Sequence, residues 1–194
     1  MKRLIVLSFV AMAAGCAANA ADLTEKSVIP TLPQQVYAPA FLSELRLGLT
    51  AQDPTGPESG SVNLTLEALS PKLGSAADPL VNALIPRLHI GGSINLDHDT
   101  SFAYAGFTWT FDLTPSIFVE GSFGGAVHDG ETDPIEVDRE ALGCRALFRE
   151  AAALGFRLSP NWSLMGTIEH LSNAGLCSNN RGMTNFGVKV GYTF

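Results

Sequence analysis

Past its first 14 residues the sequence holds no unbroken run of the roughly 20 apolar residues that a membrane-spanning helix needs. Positive charge is also scarce, with 12 Lys and Arg against 19 Asp and Glu; the net charge of −7 becomes −9 once Lys2 and Arg3 are removed with a leader. A nucleic-acid partner, which wants a basic face, is therefore not expected. Charged residues are only 16% of the chain and apolar ones 46%, too hydrophobic for disorder, while 19 Gly and 11 Pro break any long helical bundle. Cysteine is limited to three, and neither Cys144 nor Cys177 has a second Cys or a His at zinc spacing, so no metal site is expected.

What is present begins at the N-terminus. Lys2 and Arg3 precede an apolar run from Leu4 to Ala14, and Ala18-Asn19-Ala20 supplies the small residues of a cleavage site. Residues 1–20 read as a signal peptide and residues 21–194 as one domain. Cys16 leaves with the leader, and Cys144 and Cys177 remain as an even pair in an oxidising compartment, which predicts a disulfide.

Period-two alternation then recurs along the chain in eight segments of about ten residues. Leu45, Leu47 and Leu49 alternate with Arg46 and Thr50; Leu64 and Leu66 with Asn63, Thr65 and Glu67; Leu88, Ile90 and Ile94 with Arg87, His89 and Asn95. Ala105, Phe107 and Phe111 alternate with Tyr104 and Thr108, and Val119 and Phe123 with Glu120 and Ser122. Phe148, Leu154 and Phe156 oppose Arg149 and Arg157; Trp162, Leu164 and Ile168 oppose Ser163 and Glu169; and Phe186, Val188, Val190 and Tyr192 oppose Asn185 and Lys189. Turns fall at Asp97-His98-Asp99, Thr114-Pro115 and Ser159-Pro160-Asn161, with longer loops at 53–59, 72–85, 129–141 and 175–182.

A soluble lipocalin-like barrel shows the same alternation with its apolar face inside. Here the polar face carries Arg46, Arg87, Arg145, Arg149, Arg157 and Lys189 with Glu44, Glu67, Glu120 and Glu169, a mixed-sign set suited to a narrow salt-bridged interior. The apolar face is the one that meets lipid. The expected fold is all-β, an eight-stranded antiparallel transmembrane β-barrel of the bacterial outer membrane, closing on Tyr192 and Phe194. With both termini in the periplasm, loops 129–141 and 175–182 lie outside, and Glu169 to Asn173 sits at outer-leaflet depth. The acidic loop 129–141 reads as solvated rather than as a divalent-ion site, and Asp97-His98-Asp99 as a tight turn.

On the seventh segment the lipid-facing series Trp162, Leu164, Gly166, Ile168 continues into His170 and Ser172, so two polar groups stand where hydrocarbon is expected. Positions i and i+2 share one face, and a Ser becomes a nucleophile when a neighbouring base takes its proton. Asn173 follows and could donate to an oxyanion.

The stretch Glu169-His170-Leu171-Ser172-Asn173-Ala174-Gly175, with Asn180-Arg181-Gly182 and the closing Gly191-Tyr192-Thr193-Phe194, resembles the lipid A 3-O-deacylase family of outer-membrane acyl hydrolases. The resemblance implies a serine esterase acting on lipid A of lipopolysaccharide in the outer leaflet, with Ser172 as nucleophile, His170 as base, Asn173 in the oxyanion site, and no cofactor. A homodimer is compatible with it. One position departs: the family carries Glu two residues after the Gly that aligns with Gly182, where this chain has Thr184. The alternatives are a non-catalytic structural or binding barrel and an outer-membrane phospholipase, which also uses His-x-Ser but has more strands.

A three-residue turn at Ser159 to Asn161 sets Leu158 opposite Trp162, and therefore Cys144 opposite Leu176, beside Cys177. That closeness suits a disulfide. The same register places Glu150, the one acid on the apolar face of its strand, opposite His170, within the about 4.5–5.5 Å Cβ separation of cross-strand pairs. Glu150 is thus the expected third member of a triad, with Thr184 and Asn185 on the eighth strand as rival partners of the imidazole.

Overall fold

The computed structural model describes residues 41–194; the expected signal peptide lies outside the described residues. Eight antiparallel strands, β1 (Glu44–Ala51), β2 (Val62–Lys72), β3 (Arg87–Asn95), β4 (Phe102–Asp112), β5 (Ile117–His128), β6 (Ala146–Arg157), β7 (Trp162–Ser172) and β8 (Met183–Thr193), close into a barrel through pairing of β1 with β8. Each strand follows one expected alternating segment. The alternation sorts as charge composition predicts: Leu45, Leu47, Leu49, Val188 and Val190 are exposed on the outside, whereas Arg46, Glu67, Glu120, Arg149 and Lys189 are buried inside. An apolar outer belt around a charged interior is stable only where hydrocarbon surrounds the barrel.

Inside, charges taken from water are paired at short range, which is what makes their burial tolerable. Arg46 reaches Glu44 at 2.7 Å, Glu67 at 3.2 Å and Glu120 at 2.7 Å. Lys189 meets Glu67 at 3.3 Å, and Arg149 meets Glu169 at 2.6 Å while lying 3.9 Å above the Tyr104 ring. Toward the end that carries loop 173–182 the filling turns apolar: Phe102, Tyr104, Ala126, Leu147, Leu171 and Met183 pack together, and Leu142 from the β5–β6 loop enters among them. This plug stiffens the upper halves of β7 and β8 from behind.

The start of β1, the end of β8 and the β4–β5 and β6–β7 turns share the other end, where Trp162, Tyr192 and Phe194 form an aromatic girdle with ring centroids 4.9 and 5.5 Å apart. The β2–β3 connection at that end is the longer loop expected at 72–85. It contains a short helix, α1 (Pro79–Ala83), capped by Asp78, which accepts from Val81 N at 2.9 Å, and pinned by Trp109 Nε1 donating to Leu84 O at 3.0 Å. No sequence periodicity announces a helix this short.

The β6–β7 register is the one derived from the turn: Glu150 pairs with His170 and Phe148 with Ser172. Cys144 and Cys177 are joined by a disulfide, Cα atoms 6.0 Å apart, tying the β5–β6 loop to the β7–β8 loop beside the end of β7. Asp97-His98-Asp99 forms the expected turn, with Asn95 Oδ1 accepting from Asp97 N and Asp99 N.

Candidate active site

His170 and Ser172 both point outward from the last turns of β7, half-buried, while Leu171 between them is fully buried in the plug. A strand rises about 3.3 Å per residue, so the two side chains stand roughly 7 Å apart along the strand on one face. The Ser172 hydroxyl makes no hydrogen bond among the described residues, and Phe148, stacked on Phe123, lies directly across from it on β6. The serine therefore opens onto the apolar outer surface near one rim.

The imidazole is held from β8. Thr184 lies opposite His170 in the β7–β8 register, and its Oγ1 is 2.8 Å from His170 Nδ1. With Nδ1–H donating to this hydroxyl, Nε2 is left unprotonated, the tautomer a base requires. Gly182, with φ +72°, closes the other side: a Cβ there would lie 3.0 Å from His170 Cε1 and 3.3 Å from Nε2. Gly182→Ala is expected to lower kcat roughly tenfold in a correctly folded barrel, because both the left-handed backbone and the crowded ring edge push the imidazole by a few tenths of an ångström. Steady-state kinetics alongside a heat-mobility assay of folding checks this.

The other expected partners fall elsewhere. Glu150 stands beside His170 on the β6 side, as the register required, but it is exposed and has no hydrogen bond or ion pair among the described residues. Asn185 points into the barrel, fully buried, donating to Glu169 Oε1 at 3.2 Å and accepting from Asp53 N at 3.1 Å. It does not face the imidazole. Asn173, expected in the oxyanion site, spends both Nδ2 hydrogens on Leu142 O (2.8 Å) and Asn179 O (2.5 Å), and its backbone N–H donates to Asn180 Oδ1 at 2.8 Å. Its side chain builds the β7–β8 loop, whose sharp turn follows at Ala174 (φ 55°) and Gly175 (φ 77°).

Two groups behind the site carry no sequence signature. Asp53, in the β1–β2 loop with φ 33°, accepts from Thr184 N through Oδ1 at 3.2 Å. Glu140 is buried, and burial together with the neighbouring carboxyls of Asp53 and Glu58 pushes its own carboxyl up to about 8 against the pull of Arg181. The acidic loop is thus not uniformly solvated: Glu140 is buried, whereas Asp133, Glu136 and Asp138 are exposed. Among the described residues no group of His, Cys, Asp and Glu forms a metal cluster.

The arrangement sets a serine hydroxyl with no hydrogen bond among the described residues and an imidazole held through Nδ1 on one face of β7, opening onto the apolar outer surface. Against known proteins, the family model described as lipid A 3-O-deacylase (PagL) matches residues 59–193. The outer-membrane enzyme PagL has a crystal structure that is 18% identical and superposes with a TM-score of 0.62, over 78% of this chain and all of that one. The N-terminal β-barrel domain of Pseudomonas aeruginosa OprF gives 11% identity and 0.50, over 79% of this chain and 99% of that one. Neisserial surface protein A gives 8% and 0.51, over 80% of this chain and 98% of that one. No curated protein matches the chain.

Proposed function

The chain belongs to the lipid A 3-O-deacylase family, and from that premise we propose that Ser172 is the nucleophile and His170 the general base of an outer-membrane esterase that removes the 3-O-linked acyl chain of lipid A. The observation that carries this assignment is the pair of polar side chains on a lipid-facing strand, with His170 Nδ1 engaged at 2.8 Å by Thr184. Polar groups on that face cost stability, and here they are oriented rather than scattered.

In the reaction the Ser172 Oγ–H proton passes to His170 Nε2 as Oγ attacks the ester carbonyl carbon. The tetrahedral intermediate collapses by breaking the bond to the sugar 3-oxygen, which leaves with the proton from His170. Water, deprotonated by the same imidazole, then releases the hydroxyacyl chain from the serine. Asn173 serves the oxyanion through its backbone N–H, which rests on the Asn180 side chain until substrate displaces that acceptor. The hydrogen bond between Ser172 and His170 forms in the substrate complex, as catalytic hydrogen bonds often tighten only there. Position at the outer rim lets the ester reach the serine while the acyl chains stay in the bilayer. Residues 1–20 are assigned as the signal peptide that sends residues 21–194 to the outer membrane.

Mass spectrometry of lipid A from cells with and without the protein is the direct test. Loss of one 3-linked hydroxyacyl chain is expected. Unchanged lipid A with released lysophospholipid would move the activity to phospholipid, and no change in either would leave a non-catalytic barrel.

A further inference from the structure

Thr184 can fix the imidazole tautomer, but its neutral hydroxyl brings no charge to the imidazolium that forms when Ser172 gives up its proton. In triads the orienting acid does both, and losing its charge can cost about 10⁴ in kcat. A negative charge near Thr184 would restore what the hydroxyl lacks, and the β1–β2 loop brings one there.

Asp53 grips β8 at two successive residues: its Oδ1 accepts from Thr184 N at 3.2 Å and its own N–H donates to Asn185 Oδ1 at 3.1 Å. Asp53 is 6% exposed, so its carboxylate is poorly screened. Glu140, whose own carboxyl is pushed up to about 8 by burial and by the neighbouring carboxyls, lies beside Asp53. The pair is itself anchored, since Glu140 N donates to Glu58 Oε1 at 3.2 Å and Arg181 Nε lies 3.5 Å from Glu140 Oε2. Glu58 in turn accepts from Thr100 N and Oγ1 and from Gln52, and meets Arg139 at 3.3 Å, which ties three outer loops to one buried carboxylate. This is more fixation than a loop needs merely to cover a barrel end.

We propose that Asp53 is a positioning residue for the general base, holding Thr184 against His170 and supplying from the β1–β2 loop the negative charge that position 184 lacks. The inference rests on His170 being the base. Among the described residues, the charged groups on the segments next to that imidazole are Glu150 on β6, Asp53 and Glu140 behind β8, and Arg181 in the β7–β8 loop. Only Asp53 is linked to it through Thr184.

The test compares wild type with Asp53→Asn, which keeps an oxygen for Thr184 N and removes the charge, on lipid A in mixed micelles. The expected result is a tenfold to hundredfold fall in kcat, a KM changed less than twofold, and an ascending limb of the kcat–pH profile shifted about one unit toward acid, since the imidazolium has lost a neighbouring anion. Thr184→Glu, which places a carboxylate directly on the imidazole, is expected to make the enzyme indifferent to Asp53→Asn. Unchanged kcat and pH limb in Asp53→Asn, with Ser172→Ala and His170→Ala inactive, overturns the role of Asp53 and leaves the site assignment standing. A loss of activity at every pH with an unshifted limb and a lowered melting temperature also overturns it, reducing Asp53 to a structural brace. Activity surviving in His170→Ala overturns both.

Discussion

Ser172→Ala and His170→Ala will each reduce lipid A deacylation by about 10³-fold or more, and the double variant will be no worse than either single one. That non-additivity is the signature of groups acting as a unit, because removing either ends nucleophilic attack and leaves only what binding provides. The substitutions themselves are mild for the fold. Both side chains are half-buried on the outer face, Ser172 makes no hydrogen bond among the described residues, and the strand is anchored by the buried Leu171 and Glu169 that alternate with them. Removing polar groups from a lipid-facing strand should leave the barrel as stable as before or slightly more so. Activity and stability are therefore expected to move in opposite directions, a combination that a merely interfacial His and Ser would not give. Quantifying released hydroxyacyl chains against thermal unfolding in detergent measures both, and retained activity in Ser172→Ala would falsify the nucleophile assignment.

The barrel was legible because alternation and charge agree at every strand. Arg46, Glu67, Glu120 and Lys189 are separated widely in sequence, yet each sits at a polar beat of its own segment, and closure brings all four into one interior network. The β6–β7 register was legible too, since a short turn leaves one pairing free of slippage. Resemblance in the closing residues then identified the chemistry, which periodicity alone could not have done.

Loop contributions had no comparable signal. Asp53 reaches Thr184 across 131 residues, and nothing in the composition of loop 53–59 separates it from any solvated turn. Glu140 looked like one more acid in an acidic loop, but the same loop inserts Leu142 into the plug and so carries its neighbour into the buried end. A sequence shows that Asn173 has groups able to donate to an oxyanion, and not which of them the loop already uses. Its two amide hydrogens are already committed to loop carbonyls.

The partner of the imidazole shows where register itself runs out, and it sets the second large effect. A residue on an inner strand has two cross-strand neighbours, here Glu150 on β6 and Thr184 on β8, and pairing places both beside His170. Only the direction of the ring chooses between them. Nδ1 lies 2.8 Å from Thr184 Oγ1, whereas Glu150 is exposed on the lipid-facing side with no bonded partner among the described residues. Thr184→Val keeps shape and branching but removes the acceptor, so the imidazole loses its tautomer control and its link to Asp53; kcat is expected to fall about 10²- to 10³-fold with KM nearly unchanged. Glu150→Gln is expected to lose no more than about threefold, the effect of one screened charge near a partly solvated ring. Parallel assays of the two variants, both checked for barrel formation, decide the matter. The opposite ranking would return the third role to Glu150 and show that the ring turns toward β6 when substrate is bound.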